Sequence, residues 1–104
     1  MKLSIWIAVT VALAATGLAR AADNTDAGAA KSALCAGCHG PNGISVNPLW
    51  PNLAGQHPAY LEKQMRAFRD GSRIEPTMQP FVATLTDTDI AEIAAFFASR
   101  TACK

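Results

Sequence analysis

The sequence predicts an all-α fold of three main helices and two long irregular loops that wrap a large bound group. Two segments carry apolar residues at helical spacing, and a third is rich in alanine and free of proline. No segment alternates apolar and polar residues as a half-buried strand does. Long loops without structure of their own are unusual in one small domain, and a ligand enclosed by both loops would account for them.

The first helix is predicted at residues 27–34, where alanine dominates and proline is absent. It runs up to Cys35. The chain between residues 40 and 56 then contains turn-forming residues and prolines without a regular apolar period. The first long loop therefore follows shortly after Cys35.

The second helix is predicted at residues 58–70. Pro58 suits the first helical position, and Gly71 suits the position just after the end. Leu61, Met65 and Phe68 recur at spacings i, i+4 and i+7, so they form one apolar face. This face should pack against the core.

A second irregular stretch covers residues 72–84, and the third helix follows it. Thr86 is a suitable N-cap, and Asp89 three residues later makes a variant of the capping box. Apolar residues at helical spacing then extend the helix to about residue 100: Ile90, Ile93, Ala94 and Phe97.

The first 21 residues have the features of an export signal. Lys2 gives a positive start, residues 3–18 are mostly apolar, and small residues stand at Ala19 and Ala21. We expect cleavage after Ala21, with Ala22 as the second choice, leaving residues 22–104 as one exported domain. An uncleaved membrane anchor is the alternative, although the apolar run is shorter than the roughly 20 residues of a bilayer span.

The charge balance argues against nucleic acid or an anionic membrane as a partner. The chain has 9 basic and 8 acidic residues, for a net charge of +1. Loss of Lys2 and Arg20 with the leader would leave a net charge of −1, which provides no basic surface. A mature chain of this size has a marginal core and is typical of domains stabilised by a cofactor, a metal or a disulfide.

The segment Cys35-Ala36-Gly37-Cys38-His39 matches the C-x-x-C-H pattern of covalent haem attachment. Two thiols at this spacing reach the two vinyl groups of one porphyrin and become thioethers. The adjacent histidine then lies under the iron as an axial ligand. The sequence therefore predicts one covalently bound haem c, with Cys35 and Cys38 as its attachment points and His39 as an iron ligand.

Other uses of the cysteines fit less well. A disulfide or a thioredoxin-type redox pair would need a βαβ context, which the helical pattern does not provide. A zinc site would need a fourth ligand, and only His57 and Cys103 are available. Cys103, the third cysteine, is either a free thiol or the site of a disulfide to a second copy or a partner subunit.

The second iron ligand is predicted to be Met78. It lies between Pro76 and Pro80, which restrict the backbone and lower the entropy lost on holding a thioether over iron. Histidine and methionine together are the usual ligands of electron-carrying cytochromes c. Met65 is better explained as core packing. His57 as the second ligand, or an open sixth position, are the alternatives.

The sequence resembles the class I c-type cytochromes, most closely the small bacterial kind that includes single domains of di-haem cytochromes of the c-four type. The matching residues are Gly28, 35–43, 51–56, Tyr60, Leu61, Gln64, 68–73, Met78, 85–90 and 94–97. The resemblance covers nearly all of residues 22–104 and implies the cytochrome c fold. With one C-x-x-C-H motif, the chain carries one haem rather than two.

The resemblance also implies individual roles. Met78 would be the distal ligand, and the carbonyl of Pro51, or else Pro48, would accept a hydrogen bond from His39. Gly28 would allow the first and last helices to approach closely. From the residues themselves, Arg66, Arg69 and Arg73 are candidates to pair with haem propionates, and Arg73 is the best placed because it lies in a loop near the haem. We nevertheless interpret all three as solvated helix and loop charges.

The expected function is periplasmic electron transfer by a soluble carrier rather than an enzyme. Its partners would be redox proteins: a donor dehydrogenase or reductase, and an acceptor oxidase or reductase. We expect a monomer that meets membranes only through its partners, with a Cys103-linked dimer as the alternative. A haem c subunit or dedicated electron acceptor of a periplasmic dehydrogenase is the second hypothesis, and an open-site haem sensor or enzyme is the third.

Overall fold

The computed structural model describes residues 24–102, and its regular elements are all helices. They are α1 (Asn24–Lys31), α2 (Ala33–His39), α3 (Pro58–Asp70), α4 (Gln79–Val82) and α5 (Asp87–Ala98). Residues 24–102 contain no strand, and the all-α prediction is confirmed. No helix in this range has the length and apolarity needed to cross a bilayer. The export signal and Cys103 lie outside the described residues.

The first predicted helix is in fact two helices. It was expected to run from residue 27 up to Cys35, but α1 ends at Lys31 and Ser32 forms a turn. The Ser32 N–H donates to the Gly28 carbonyl, and the Cys35 N–H donates to the Ser32 carbonyl, so the backbone stays hydrogen-bonded through the bend. The second helix continues through both cysteines to His39, beyond the end expected at Cys35.

Helix α3 follows its prediction at both ends. Pro58 occupies the first turn, and Gly71 adopts the left-handed conformation, with φ of 82°. Leu61 and Phe68 are buried, while Met65 is partly buried and packs on the core. The apolar face predicted from spacing is therefore the buried face.

A short helix, α4, lies within the stretch that was predicted to be irregular. Pro80 falls in its first turn, where a missing N–H removes no hydrogen bond. Four residues are too few for a periodic pattern to be visible in the sequence.

Helix α5 begins with the predicted capping box. The Asp89 N–H donates to Thr86 Oγ1 (3.1 Å), and the Thr86 N–H donates to Asp89 Oδ2 (2.9 Å). Lys31 of α1 forms ion pairs with Asp89 and Glu92. The Lys31 ammonium, with help from Thr86, lowers the pKa of Asp89 to about 2.

The core forms around α5, which packs against α1 and against α3. Its buried members are Leu61, Ile93, Ala94, Phe96 and Phe97, and the two phenylalanine rings meet edge to face with centroids 5.1 Å apart. Helices α1 and α5 make the most extensive contact between elements. Gly28 lies at this crossing against the Glu92 carbonyl and the Phe96 side chain, as the resemblance implied.

Candidate functional site

A cavity of about 550 Å³ lies between α2, α3, α4 and the two long loops. It is lined by both motif cysteines, by His39 and by two methionines, Met65 and Met78. A second cavity of about 460 Å³, near Asn42 and Arg100, shares none of these side chains. The predicted attachment and ligand residues therefore surround one space.

Helix α2 explains how the motif residues come together. Residues three and four apart on a helix share a face, so Cys35, Cys38 and His39 all point to the cavity. Both thiols are free. Burial, with a smaller contribution from the neighbouring Cys38, raises the pKa of the Cys35 thiol. The pair thus presents two sulfurs at one wall of the cavity, as two thioether attachments require.

The buried imidazole of His39 is held in one orientation by a carbonyl. Its Nδ1 lies 2.7 Å from the oxygen of Pro51, the contact that the resemblance implied. A carbonyl oxygen only accepts, so Nδ1 carries the proton and Nε2 keeps its lone pair. An imidazole in this tautomer is ready to bind a metal through Nε2.

Backbone hydrogen bonds in the first long loop bring Pro51 to this position. The N–H groups of Leu53 and Ala54 both donate to the Gly43 carbonyl, at 2.8 and 3.1 Å. Gly43 has a φ of 77°, and a Cβ there would lie 2.7 Å from the Ala54 nitrogen, so only glycine closes the loop. Ser45 Oγ also donates to the Cys38 carbonyl at 3.1 Å, which joins the loop to α2.

Met78 lies at the start of α4, half-buried, with its backbone held on both sides. Its N–H donates to the Glu75 carbonyl at 3.0 Å, and its own carbonyl accepts from Phe81 at 3.1 Å. Met65 reaches the same cavity from α3 but also packs on the core. His57, the alternative ligand, is exposed at the N-cap of α3 and does not line the cavity.

The remaining wall is apolar and was not identified from the sequence. Five large side chains are exposed to solvent yet all line the cavity: Leu34, Leu49, Trp50, Tyr60 and Phe81. Leu34 and Leu49 are 63% and 84% exposed. Apolar side chains gathered at one cleft mark a ligand or partner site. Their arrangement fits a broad apolar group such as a porphyrin, whose binding would cover them.

No zinc site competes for these residues in the described range. Within residues 24–102, no three His, Cys, Asp or Glu side chains form a group that would hold a metal ion. A single histidine beside two thiols and an apolar wall suits haem better than a four-coordinate zinc.

Comparison with known proteins decides the family. The model of the Cytochrome c family matches residues 25–101. The chain belongs to the cytochrome c family. Its cofactor is accordingly haem c, held covalently through the C-x-x-C-H motif.

Two relatives and one solved structure place this cytochrome among small bacterial ones. It is 46% identical to cytochrome c4 of Pseudomonas aeruginosa over 99 residues, which is 95% of this chain and 48% of the relative. It is 42% identical to cytochrome c-554(548) of Halomonas halodenitrificans over 82 residues, 76% of this chain and 99% of the relative. The structure of cytochrome c4 from Acidithiobacillus ferrooxidans matches with a TM-score of 0.68 and 27% identity, over 73% of this chain and 49% of that one.

The chain spans about half the length, or less, of the cytochrome c4 relatives that it matches. One C-x-x-C-H motif is present in this length, in agreement with a single haem. The match to cytochrome c-554(548), by contrast, covers that protein almost entirely.

Proposed function

We propose that this cytochrome carries single electrons between redox proteins of the periplasm and catalyses no reaction itself. When bound, haem c supplies a centre that cycles between ferric and ferrous iron. The observation that carries the proposal is the single cavity that joins Cys35, Cys38 and His39 to Met78.

In this proposal, the chain's own residues hold and insulate the cofactor. Cys35 and Cys38 fix it to α2, and His39 presents Nε2 while Pro51 holds its Nδ1–H. Met78 supplies the second iron ligand from a backbone that is already hydrogen-bonded. The apolar wall excludes water. With two fixed ligands and little water, few atoms need to move when the charge changes, as electron transfer requires.

Visible spectra of the matured protein and two matched variants test the ligand assignment. The ferric protein should show the weak long-wavelength band of iron–sulfur ligation. Met78→Ala should lose that band and lower the reduction potential, because methionine ligation favours ferrous iron. Met65→Leu, which keeps the volume of a core side chain, should retain both properties. Loss of the band in Met65→Leu alone would overturn the assignment of Met78.

Covalent attachment is tested separately by denaturing extraction. Haem should stay on the chain, and Cys35→Ala with Cys38→Ala should release it. Rapid binding of carbon monoxide to the reduced protein would instead indicate an open iron site and favour a sensor or enzyme.

Export is proposed on the sequence pattern, with cleavage after Ala21. N-terminal sequencing of the protein recovered from the periplasm should begin at Ala22. A first residue within the apolar segment 3–18, or retention of the full leader, would contradict it.

A dedicated electron acceptor of a periplasmic dehydrogenase is the second candidate. A relative from Stutzerimonas stutzeri named thiosulfate dehydrogenase electron acceptor is 38% identical over 102 residues, 91% of this chain and 47% of that protein. A disulfide from Cys103 to a partner would support this role, and it would appear as a reducible higher band on a non-reducing gel. A Cys103→Ser variant is the control.

A further inference from the structure

Arg73 is the sole arginine or lysine among the described residues that line the haem cavity. The sequence analysis interpreted it as a solvated charge. The side chain is exposed, yet three contacts with α3 hold it at the rim of the cavity. That fixed position calls for another explanation.

The three contacts involve the last part of α3. The Arg73 N–H donates to the Ala67 carbonyl at 3.0 Å, because Gly71 turns the chain back over the helix end. The guanidinium carbon lies 4.5 Å from the centre of the Phe68 ring, and Nη1 donates to Gln64 Oε1 at 2.8 Å. A free arginine loses rotamer entropy when it binds a ligand, so such ordering prepares the group for binding.

Arg73 has no carboxylate partner within residues 24–102, unlike its neighbours on α3. Arg66 pairs with Glu62 and Asp87, and Arg69 also pairs with Asp87. The guanidinium has five N–H donors, and the Gln64 contact uses one of them. Because Gln64 Oε1 accepts from Arg73, its amide nitrogen remains a donor as well. The rim thus offers a charged guanidinium and an amide beside a mostly apolar cavity.

We propose that Arg73, supported by Gln64, binds a propionate carboxylate of the haem. The proposal rests on the haem c site and not on the identity of the distal ligand. Arginine binds carboxylates through two parallel N–H donors, and the rim of an apolar cavity is where the charged edge of a porphyrin meets solvent. The titratable side chains that face this space are Cys35, Cys38, His39, Tyr60, Arg73 and Glu75.

Glu75 is the one carboxylate among them, and its side chain is held by a hydrogen bond from the backbone. Its Oε1 accepts from the Thr77 N–H at 3.1 Å. It lies two residues from Arg73 without forming an ion pair with it. A Glu75→Gln variant therefore separates any titration of Glu75 from that of the propionate.

Removing the arginine charge should change how the reduction potential depends on pH. Arg73 favours the ionised carboxylate, so its loss raises the pH at which the propionate deprotonates. Above that pH the unpaired negative charge favours ferric iron. The reduction potential of Arg73→Gln should therefore begin to fall at a higher pH than that of the unaltered protein. Above this pH, the potential of Arg73→Gln should be the lower of the two.

Spectroelectrochemical titration of the matured holoprotein, from about pH 5 to about pH 9, measures this shift. Arg73→Lys should keep most of the original profile because it keeps the charge. Arg66→Gln removes an arginine of α3 that does not line the cavity, and it should leave the profile unchanged. Gln64→Glu gives Arg73 a competing carboxylate and should reproduce the shift in a chain that keeps the arginine.

Unchanged profiles in both Arg73→Gln and Gln64→Glu, with haem and ligand spectra intact, would overturn the proposal. An unchanged profile in Glu75→Gln, by contrast, supports the proposal, because it shows that Glu75 is not the titrating group. Failure of the electron-carrier proposal is distinguishable, since it would appear as lost covalent haem or lost iron–sulfur ligation in the unaltered protein.

Discussion

Gly28→Ala should destabilise the protein because α1 and α5 leave no room for a methyl group between them. A Cβ at this position would overlap the Glu92 carbonyl oxygen and lie 2.9 Å from the Phe96 Cβ. Carbon atoms pack at about 3.5–4.0 Å, so the helices would separate by on the order of 1 Å. Neither obstacle is the free end of a flexible side chain. Rotation of a side chain therefore cannot relieve the overlap.

The expected loss follows from two opposing effects. Overfilling a packed interface costs about 1–3 kcal/mol, and a backbone obstacle favours the upper end of that range. Replacing glycine by alanine within a helix recovers about 1 kcal/mol of intrinsic propensity. We therefore expect the free energy of unfolding to fall by about 1–2 kcal/mol. The Lys31 pairs with Asp89 and Glu92 span the same crossing and would be disturbed with it.

Denaturant unfolding of the holoprotein, followed by circular dichroism, measures this change. Ala29→Gly, at an exposed position of the same helix, is the matched control for propensity and should cost about 1 kcal/mol. A Gly28→Ala protein as stable as the unaltered one, or more stable, would refute the close-contact argument.

Three further predictions concern stability. Phe97→Ala empties a site that is 1% exposed, and it should cost about 3–5 kcal/mol in the same unfolding assay; a loss below about 1 kcal/mol would contradict its central place in the core. Thr86→Ala removes the N-cap of α5 and should cost about 1 kcal/mol, whereas Thr86→Ser should cost little. The pKa of Asp89 is about 2 in the folded chain against an ordinary value of 3.8, so its stabilising effect is complete at neutral pH and is lost as pH falls from about 4 through about 2. Acid unfolding of Asp89→Asn should be less steep in that interval, and an unchanged acid profile would count against the ion pair.

Local signals predicted much of the fold. Helix α3 was identified by Pro58, Gly71 and the spacing of its apolar face, and α5 by the Thr86 capping box, because these features act within a few residues. The attachment motif, including its histidine, was recognised from the spacing of three side chains alone. Such information is contained in short segments, so no tertiary structure was required to recognise it.

Nonlocal packing accounts for what the sequence did not predict. The alanine-rich start gives no local signal for the turn at Ser32, whose side chain is buried between α1 and α2. Pro80 was interpreted as a loop residue because its place in a first helical turn depends on where α4 begins. Arg73 was interpreted as a solvated charge since Phe68 and Gln64, which hold it, become its neighbours only when the chain turns back at Gly71.

The first and last described helices, α1 and α5, pack against each other, so the two ends of the described chain are held together. A single cut beside Val46, which is 96% exposed, would give two pieces. One would contain α1, α2 and the attached haem, and the other would contain α3, α4 and α5. The α1–α5 interface and the bonds from Leu53 and Ala54 to the Gly43 carbonyl would still join them. We therefore expect a nicked cytochrome to keep its colour and its shape, with His39 in one piece and Met78, the proposed second iron ligand, in the other.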